Sequence, residues 1–85
     1  MAYEVLLEDA PKAALGSLDK SVRERIIKRL LRMKDEPPGR HLKHGLPFFA
    51  IKIGQYRIAY TCRESVKKVY FAGDHNGYER WFRSL

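Results

Sequence analysis

The chain has 85 residues, of which 45% are hydrophobic and 12% aromatic, a composition that excludes an intrinsically disordered protein. Its 17 Lys and Arg residues against 10 Asp and Glu residues give a net charge of +7, which favours a polyanionic partner such as nucleic acid, or an acidic protein. No apolar run approaches the ~20 residues of a membrane span, and the single cysteine, Cys62, excludes a disulfide framework within the chain. We therefore expect one cytoplasmic domain over residues 1–85, with a single core and no membrane association.

The first residues predict a strand followed by a short helix. The apolar run within Tyr3–Glu8 is typical of a short strand. Asp9 stands where an N-cap residue is expected, and Pro11 is suited to the first turn of a helix. We therefore predict a short helix over Ala10–Leu15.

A longer amphipathic helix is predicted over Ser21–Lys34, capped by Asp19 or Ser21. Its apolar residues recur three or four positions apart: Val22, Ile26, Ile27, Leu30, Leu31 and Met33. A helix with this stripe is expected to pack against a sheet or a second helix. The other side carries the basic residues Arg25, Lys28, Arg29 and Arg32. Such a face is solvated in most helices, but it also suits phosphates or an acidic segment.

A basic loop over Arg40–Pro47 is predicted after the proline-rich end of this helix. Its histidines, His41 and His44, have no third ligand nearby in the sequence, so we expect no metal site there.

The segment Phe48–Cys62 predicts a β-hairpin that turns at Gly54 and Gln55. Side chains alternate between the faces of a strand. If the register of the hairpin puts the apolar residues of both strands on one face, Lys52 and Arg57 are expected together on the other. The aliphatic face of each strand would then cover the core, and the opposite face would carry positive charge.

A further strand is predicted over Val66–Ala72, followed by a turn over Gly73–Gly77. Asp74 or Asn76 is placed to cap a last helical turn. The aromatic residues of that turn are Tyr78, Trp81 and Phe82.

The predicted order is therefore β-α-α-β-β-β, followed by a short helical turn. It indicates an α+β fold in which two N-terminal helices pack on one face of a small, mainly antiparallel sheet. The other face is expected to be free, with Lys52 and Arg57 pointing towards solvent.

The strings IKIGQYRIAY at 51–60 and VYFAGDHNGY at 69–78, in this order of elements, resemble the RelE/ParE superfamily of type II toxins. The resemblance covers nearly the whole chain, and its most specific part is residues 54–57. A RelE-like identity implies a ribosome-dependent endoribonuclease that cleaves mRNA, inhibits translation and is silenced by a cognate antitoxin. It implies neither a metal nor another cofactor.

The resemblance also implies four catalytic residues: Lys52, Arg57, His75 and Tyr78. The arginine of the family's Tyr-Arg strand falls on Arg57, and a basic residue of the preceding strand falls on Lys52. His75 stands two residues after the last-strand glycine, Gly73, at a position where the family often has arginine. The family's C-terminal tyrosine falls on Tyr78, although the spacing from Gly73 to Tyr78 is shorter than in many members. The loop residues expected to bind RNA are Arg40, Lys43 and His44.

These residue types suit RNA cleavage in which the 2′-hydroxyl attacks the neighbouring phosphate. Arg57 matches two phosphate oxygens and stays charged, and Lys52 can supply a second charge or act as a base. His75 titrates near neutral pH and suits a general acid or base, and Tyr78 suits stacking on a base or proton transfer.

Two other interpretations remain open at this point. A ParE-like toxin would inhibit DNA gyrase by binding and would cleave no nucleic acid. An inactive or antitoxin-bound paralogue would keep only the basic RNA-binding surface. A histidine beside two cations favours the endoribonuclease, because a protein that only binds needs no group for proton transfer.

Overall fold

The computed structural model describes residues 2–39 and 47–85. The helices and strands follow in the order β1 (Glu4–Leu7), α1 (Asp9–Gly16), α2 (Lys20–Arg32), β2 (Phe48–Ile53), β3 (Tyr56–Arg63), β4 (Val66–Asp74) and α3 (His75–Arg83). None of the helices in these two ranges is long and apolar enough to span a membrane. The predicted basic loop residues Arg40, Lys43 and His44 lie outside the described residues.

The four strands form one sheet in the order β1-β4-β3-β2. β1 pairs in parallel with β4, whereas β3 pairs antiparallel with both β2 and β4. The predicted α+β fold and the mainly antiparallel sheet are therefore confirmed. A shift in register between Ala59 and Tyr60 marks a bulge in the pairing of β3 with β4, which re-aims the side chains on either side of it.

The hairpin of β2 and β3 has the register that its sequence predicts. Ile51 lies opposite Ile58, and Lys52 lies opposite Arg57. Gly54 turns the chain with a φ of 59°, a left-handed conformation that glycine adopts at little cost. The two cations are therefore on one face of the sheet and the isoleucines on the other.

The core lies between α2 and the isoleucine face of the sheet. Buried residues of α2 and of the segment just after it meet buried residues of three strands. They are Ile26, Leu30, Met33, Phe49, Ile51, Ile58, Tyr60, Val69 and Ala72. The helical stripe predicted for α2 is thus buried in part, but Ile27 and Leu31 remain 42% and 53% exposed. The buried face of α2 is therefore narrower than predicted, and Ile27 and Leu31 lie at its margin, where solvent reaches them.

The start of each N-terminal helix differs slightly from the prediction. Glu8 occupies the N-cap position of α1 with extended backbone angles, and its carbonyl accepts the bond from the Lys12 N–H at 3.1 Å. Asp9 is therefore the first helical residue and not the cap, and its charge still favours the N-terminus of the helix. Asp19 occupies the N-cap position of α2, but its side chain makes no capping hydrogen bond.

Lys67 is a fully buried residue that joins the sheet to the end of α2. Its Nζ donates to the carbonyls of Met33, at 2.7 Å, and of Glu36, and it lies 4.3 Å from the centre of the Tyr3 ring. Burial lowers the pKa of its ammonium group. Lysine suits this position because it can satisfy carbonyls at the end of a helix that have no partner within it.

The C-terminal segment differs most from the prediction. The turn predicted over Gly73–Gly77 is wrong, because β4 continues to Asp74 and α3 begins at His75. The Asp74 carboxylate accepts a hydrogen bond from the Gly77 N–H at 2.8 Å, so this residue is the predicted cap of a full helix.

The face opposite the core was predicted to be free, but α3 covers part of it. Trp81 packs against Phe48 and Phe71, with ring centroids 5.0 and 5.7 Å apart. Gly73 leaves room for this packing, since a Cβ at that position would lie 2.9 Å from the Phe71 ring. The aromatic side of α3 thus finds an apolar partner on the sheet, which explains why the segment forms a helix.

Candidate functional site

An open depression lies between the tip of the β2–β3 hairpin and the start of α3. It has a volume of about 410 Å³. Its lining residues are Lys52, Gly54, Gln55, Arg57, Asp74, His75 and Asn76. It forms because the antiparallel pairing sets Arg57 opposite Gly73, which brings the hairpin alongside the end of β4 and the residues that follow it. We call this depression the hairpin pocket.

Arg57 is held at the base of the hairpin pocket by the turn of its own hairpin. Its Nη1 donates to the carbonyls of Gly54, at 3.0 Å, and of Tyr56, at 3.1 Å. No carboxylate within residues 2–39 and 47–85 forms an ion pair with it. The guanidinium is therefore oriented by neutral groups and keeps its full charge for an anion.

Lys52 adds a second positive charge directly across the hairpin from Arg57. Its side chain is exposed and forms no ion pair within the described parts of the chain. Like charges directly opposite each other on neighbouring strands destabilise a sheet. An anion bound between them would remove this repulsion, so the pair is suited to a phosphate group.

His75 lies on the other side of the hairpin pocket, at the first residue of α3. Its Nε2 is 3.1 Å from the Glu79 carboxylate one helical turn later, and the two side chains are 53% and 48% exposed. A carboxylate this close to Nε2 favours a ring orientation in which the other nitrogen, Nδ1, faces away from it and is left for a substrate. The pair has the arrangement of an oriented acid–base group.

Tyr78 is placed next to the hairpin pocket and does not line it. It borders a smaller neighbouring depression of about 220 Å³, and its ring packs against Phe71 at 5.9 Å and Trp81 at 6.1 Å. Burial raises the pKa of the Tyr78 hydroxyl, and the positive charge of Arg57 opposes that rise. Tyr78 is therefore within the electrostatic reach of Arg57, although its ring also belongs to the aromatic packing under α3.

The structure thus brings together Lys52, Arg57 and His75, and it places Tyr78 at the border. Glu79 was missed by the sequence reasoning, since a turn over Gly73–Gly77 hides the helical spacing of four residues between it and His75. A helix predicted from Asp74 onwards would have revealed the pair.

Comparison with solved structures shows which fold positions these residues. The free E. coli toxin RelE, in a variant with two arginines replaced by alanine, superposes with a TM-score of 0.79 at 23% identity, covering 96% of this chain and 93% of that chain. The same variant in complex with a RelBc antitoxin peptide gives 0.76 at 22% identity, covering 100% of this chain and 96% of that chain.

An archaeal RelE–RelB complex from Pyrococcus horikoshii gives a TM-score of 0.72 at 21% identity, covering 87% of this chain and 96% of that chain. No family model matches the chain, and no curated protein matches its sequence significantly. The chain therefore has the fold of the RelE toxins, as the resemblance in its sequence predicts.

Proposed function

We propose that this chain, which has the fold of the RelE toxins, is the toxin of a type II toxin–antitoxin module and cleaves mRNA on the ribosome. The observation that carries the proposal is the hairpin pocket, where two cations that pair with no carboxylate among the described residues face a histidine beside Glu79. Such a pocket combines charge for a phosphate with a group that can move a proton.

In the proposed reaction, the 2′-hydroxyl of the RNA attacks the adjacent phosphorus. The new bond gives a 2′,3′-cyclic phosphate, and the bond to the 5′-oxygen of the next nucleotide breaks. The 2′-hydroxyl loses a proton and the leaving 5′-oxygen gains one. His75 carries one of these two transfers, and water carries the other. The substrate supplies the nucleophile, so the reaction is proposed to be independent of metal ions.

Each residue has a role that follows from its position. Arg57 holds two non-bridging phosphate oxygens, because its guanidinium is oriented by two carbonyls and remains charged at any working pH. Lys52 neutralises the charge that accumulates on the phosphoryl group. His75 transfers a proton through the nitrogen that Glu79 does not bind, and Tyr78 stacks on a base beside the pocket.

An acidic antitoxin is the proposed protein partner. The chain carries a net charge of +7, and two of the solved structures that share its fold are complexes of RelE with a RelB-type antitoxin. A negatively charged segment across the hairpin pocket would neutralise Lys52 and Arg57 and exclude mRNA from them.

The experiment that tests this function is induced expression in bacteria, followed by primer-extension mapping of cellular mRNAs. We expect cuts within codons of translated messages, and none in a copy of the same message that lacks its start codon. Arg57→Ala should abolish the cuts while changing the melting temperature little. Arg63→Ala is the matched control, since it removes the same charge from the far, exposed end of the same strand.

Intact mRNA together with blocked DNA supercoiling would overturn the proposal in favour of gyrase inhibition. Loss of folding in Arg57→Ala would instead assign that residue a structural role. If Arg57→Ala and Arg63→Ala lose cleavage to the same extent, net charge and not the hairpin pocket governs the activity.

A further inference from the structure

We propose that Arg25, on α2, forms a second phosphate-binding subsite that extends the hairpin pocket around the turn of the hairpin. The inference rests on the proposed function for its ligand, single-stranded RNA, but it concerns a residue outside the four that the sequence resemblance implies. It assigns to α2 a role in holding the RNA strand next to the reacting phosphate.

The position of Arg25 is defined by its contact with the hairpin turn. Its Nη2 lies 3.0 Å from the place that a Cβ on Gly54 would occupy. Gly54 also accepts the hydrogen bond from Arg57, at 3.0 Å, through its carbonyl. Two guanidinium groups from different elements therefore contact the same glycine, and a side chain at that position would push Arg25 away.

The two 3.0 Å contacts and the bond lengths within Gly54 put the Nη2 of Arg25 and the Nη1 of Arg57 no more than about 10 Å apart. Successive phosphates along one strand advance by about 3.4 Å along the axis of a duplex and by more in an extended strand. A strand whose reacting phosphate lies on Arg57 can therefore place a neighbouring phosphate on Arg25.

Arg25 differs from the other arginines of α2 in that no described residue forms an ion pair or hydrogen bond with its side chain. Arg29 and Arg32 both pair with Glu36, and hydrogen bonding from Arg29 lowers the pKa of that carboxyl. Arg23 donates to the carbonyl of Gly16 on the other side of the helix.

No residue three or four positions from Arg25 is acidic, and no ion pair involves it in the described ranges. It is therefore the arginine of α2 that combines an unneutralised charge with a place beside the hairpin pocket.

The test is a binding measurement with a fluorescent ten-nucleotide single-stranded RNA that carries 2′-O-methyl groups and so cannot be cleaved. Affinity is measured by anisotropy across a series of KCl concentrations for the wild type and for Arg25→Gln, Arg25→Lys and Arg23→Gln. Arg23→Gln is the matched control, because it removes the same charge from the same helix on the side away from the hairpin.

We expect Arg25→Gln to weaken binding about threefold to tenfold at low salt. It should also reduce the slope of log K against log salt by about 0.7, the value for one phosphate contact on a single strand. Arg25→Lys should recover most of the slope, and Arg23→Gln should leave it near the wild-type value. The melting temperatures of all variants should agree closely, since Arg25 is exposed and Arg23 makes a single hydrogen bond at an exposed position.

Equal losses in Arg25→Gln and Arg23→Gln would overturn the subsite, since net charge would then explain both. Wild-type protein that fails to bind the RNA at low salt would overturn it as well. So would an Arg25→Gln variant that binds RNA normally and loses affinity only for an acidic antitoxin peptide. If the wild type leaves translated mRNA intact but the Arg25 effect on RNA binding persists, the proposed cleavage fails and the subsite stands.

Discussion

One helical turn places Glu79 beside His75. His75 is the residue that we propose transfers a proton in the hairpin pocket, because an imidazole can both accept and donate one. Replacing it with glutamine keeps a polar side chain of similar size but removes the transferable proton. On ribosomes programmed with a defined mRNA, we expect His75→Gln to slow single-turnover cleavage by about 10²–10⁴-fold, the range typical of a general acid or base.

The control for His75→Gln is Asn76→Ala, which alters the neighbouring residue of the same pocket without touching a proton-transfer group. We expect that variant to cleave within about threefold of the wild type, since an exposed amide supplies little of the barrier reduction. Because the His75 side chain is 53% exposed, neither change should lower the melting temperature appreciably. Full activity in His75→Gln would assign proton transfer to another group.

Lys67 supports the segment at the end of α2 through hydrogen bonds to two of its carbonyls. Lys67→Met keeps the length of the side chain but leaves the carbonyls of Met33 and Glu36 without their donor. We expect the free energy of unfolding to fall by about 2–3 kcal/mol, since each buried unsatisfied group costs about 1–3 kcal/mol. Urea denaturation measures this change. The control is Lys68→Met on the same strand, whose ion pair with Glu8 is surface-exposed and contributes little.

The same residue should give the stability a particular dependence on pH. Burial lowers the pKa of Lys67 in the folded state below its ordinary 10.5, so above the lowered value the unfolded chain binds more protons than the folded one. Stability contributed by this group therefore rises with pH through that window and levels off above 10.5. The stability difference between the wild type and Lys67→Met should grow over the same window, and a difference that shrinks would contradict the burial of a charged lysine.

At the scale of elements, the hairpin was predictable and α3 was only partly so. The alternating residues of Phe48–Cys62 fix which side chains of each strand share a face, and the two-residue turn then sets the register in which Lys52 lies opposite Arg57. The start of α3 depends on one capping bond from Asp74 and on aromatic packing against Phe71. Packing of this kind involves distant residues and leaves no local pattern in the sequence.

The burial of Lys67 and the approach of Arg25 to the hairpin turn escaped prediction for the same reason. Lys67 resembles its half-buried neighbour Lys68 in sequence, and only the pairing of β4 with β1 and β3 shows that Lys67 is enclosed. Arg25 is one of several basic residues on α2, and only its approach to Gly54 distinguishes it. A sequence thus shows which residue types are present, but it does not show which of several similar residues make the contacts of a site.

At the scale of the whole molecule, positive charge favours a polyanionic partner and opposes the compact state. The net charge of +7 is the excess that remains after every carboxylate is counted, so the folded chain repels itself at low ionic strength. The Debye length falls from about 30 Å at 0.01 M salt to about 10 Å at 0.1 M. In a chain this small, charges on opposite sides therefore repel one another at the lower concentration and are screened at the higher one. The same added salt weakens contacts with phosphates. Stability and RNA affinity should therefore respond to salt in opposite directions.

We accordingly expect the melting temperature to rise by about 2–5 °C between roughly 0.01 M and 0.2 M KCl, while affinity for single-stranded RNA falls over the same range. The control is the double variant Lys12→Gln and Lys20→Gln, two exposed positions away from the hairpin pocket. It lowers the net charge from +7 to +5, since two positive charges are removed. Its melting temperature should start higher at low salt and rise less. A wild-type melting temperature that falls with added KCl would show that attractive pairs, such as Lys68 with Glu8, outweigh the repulsion.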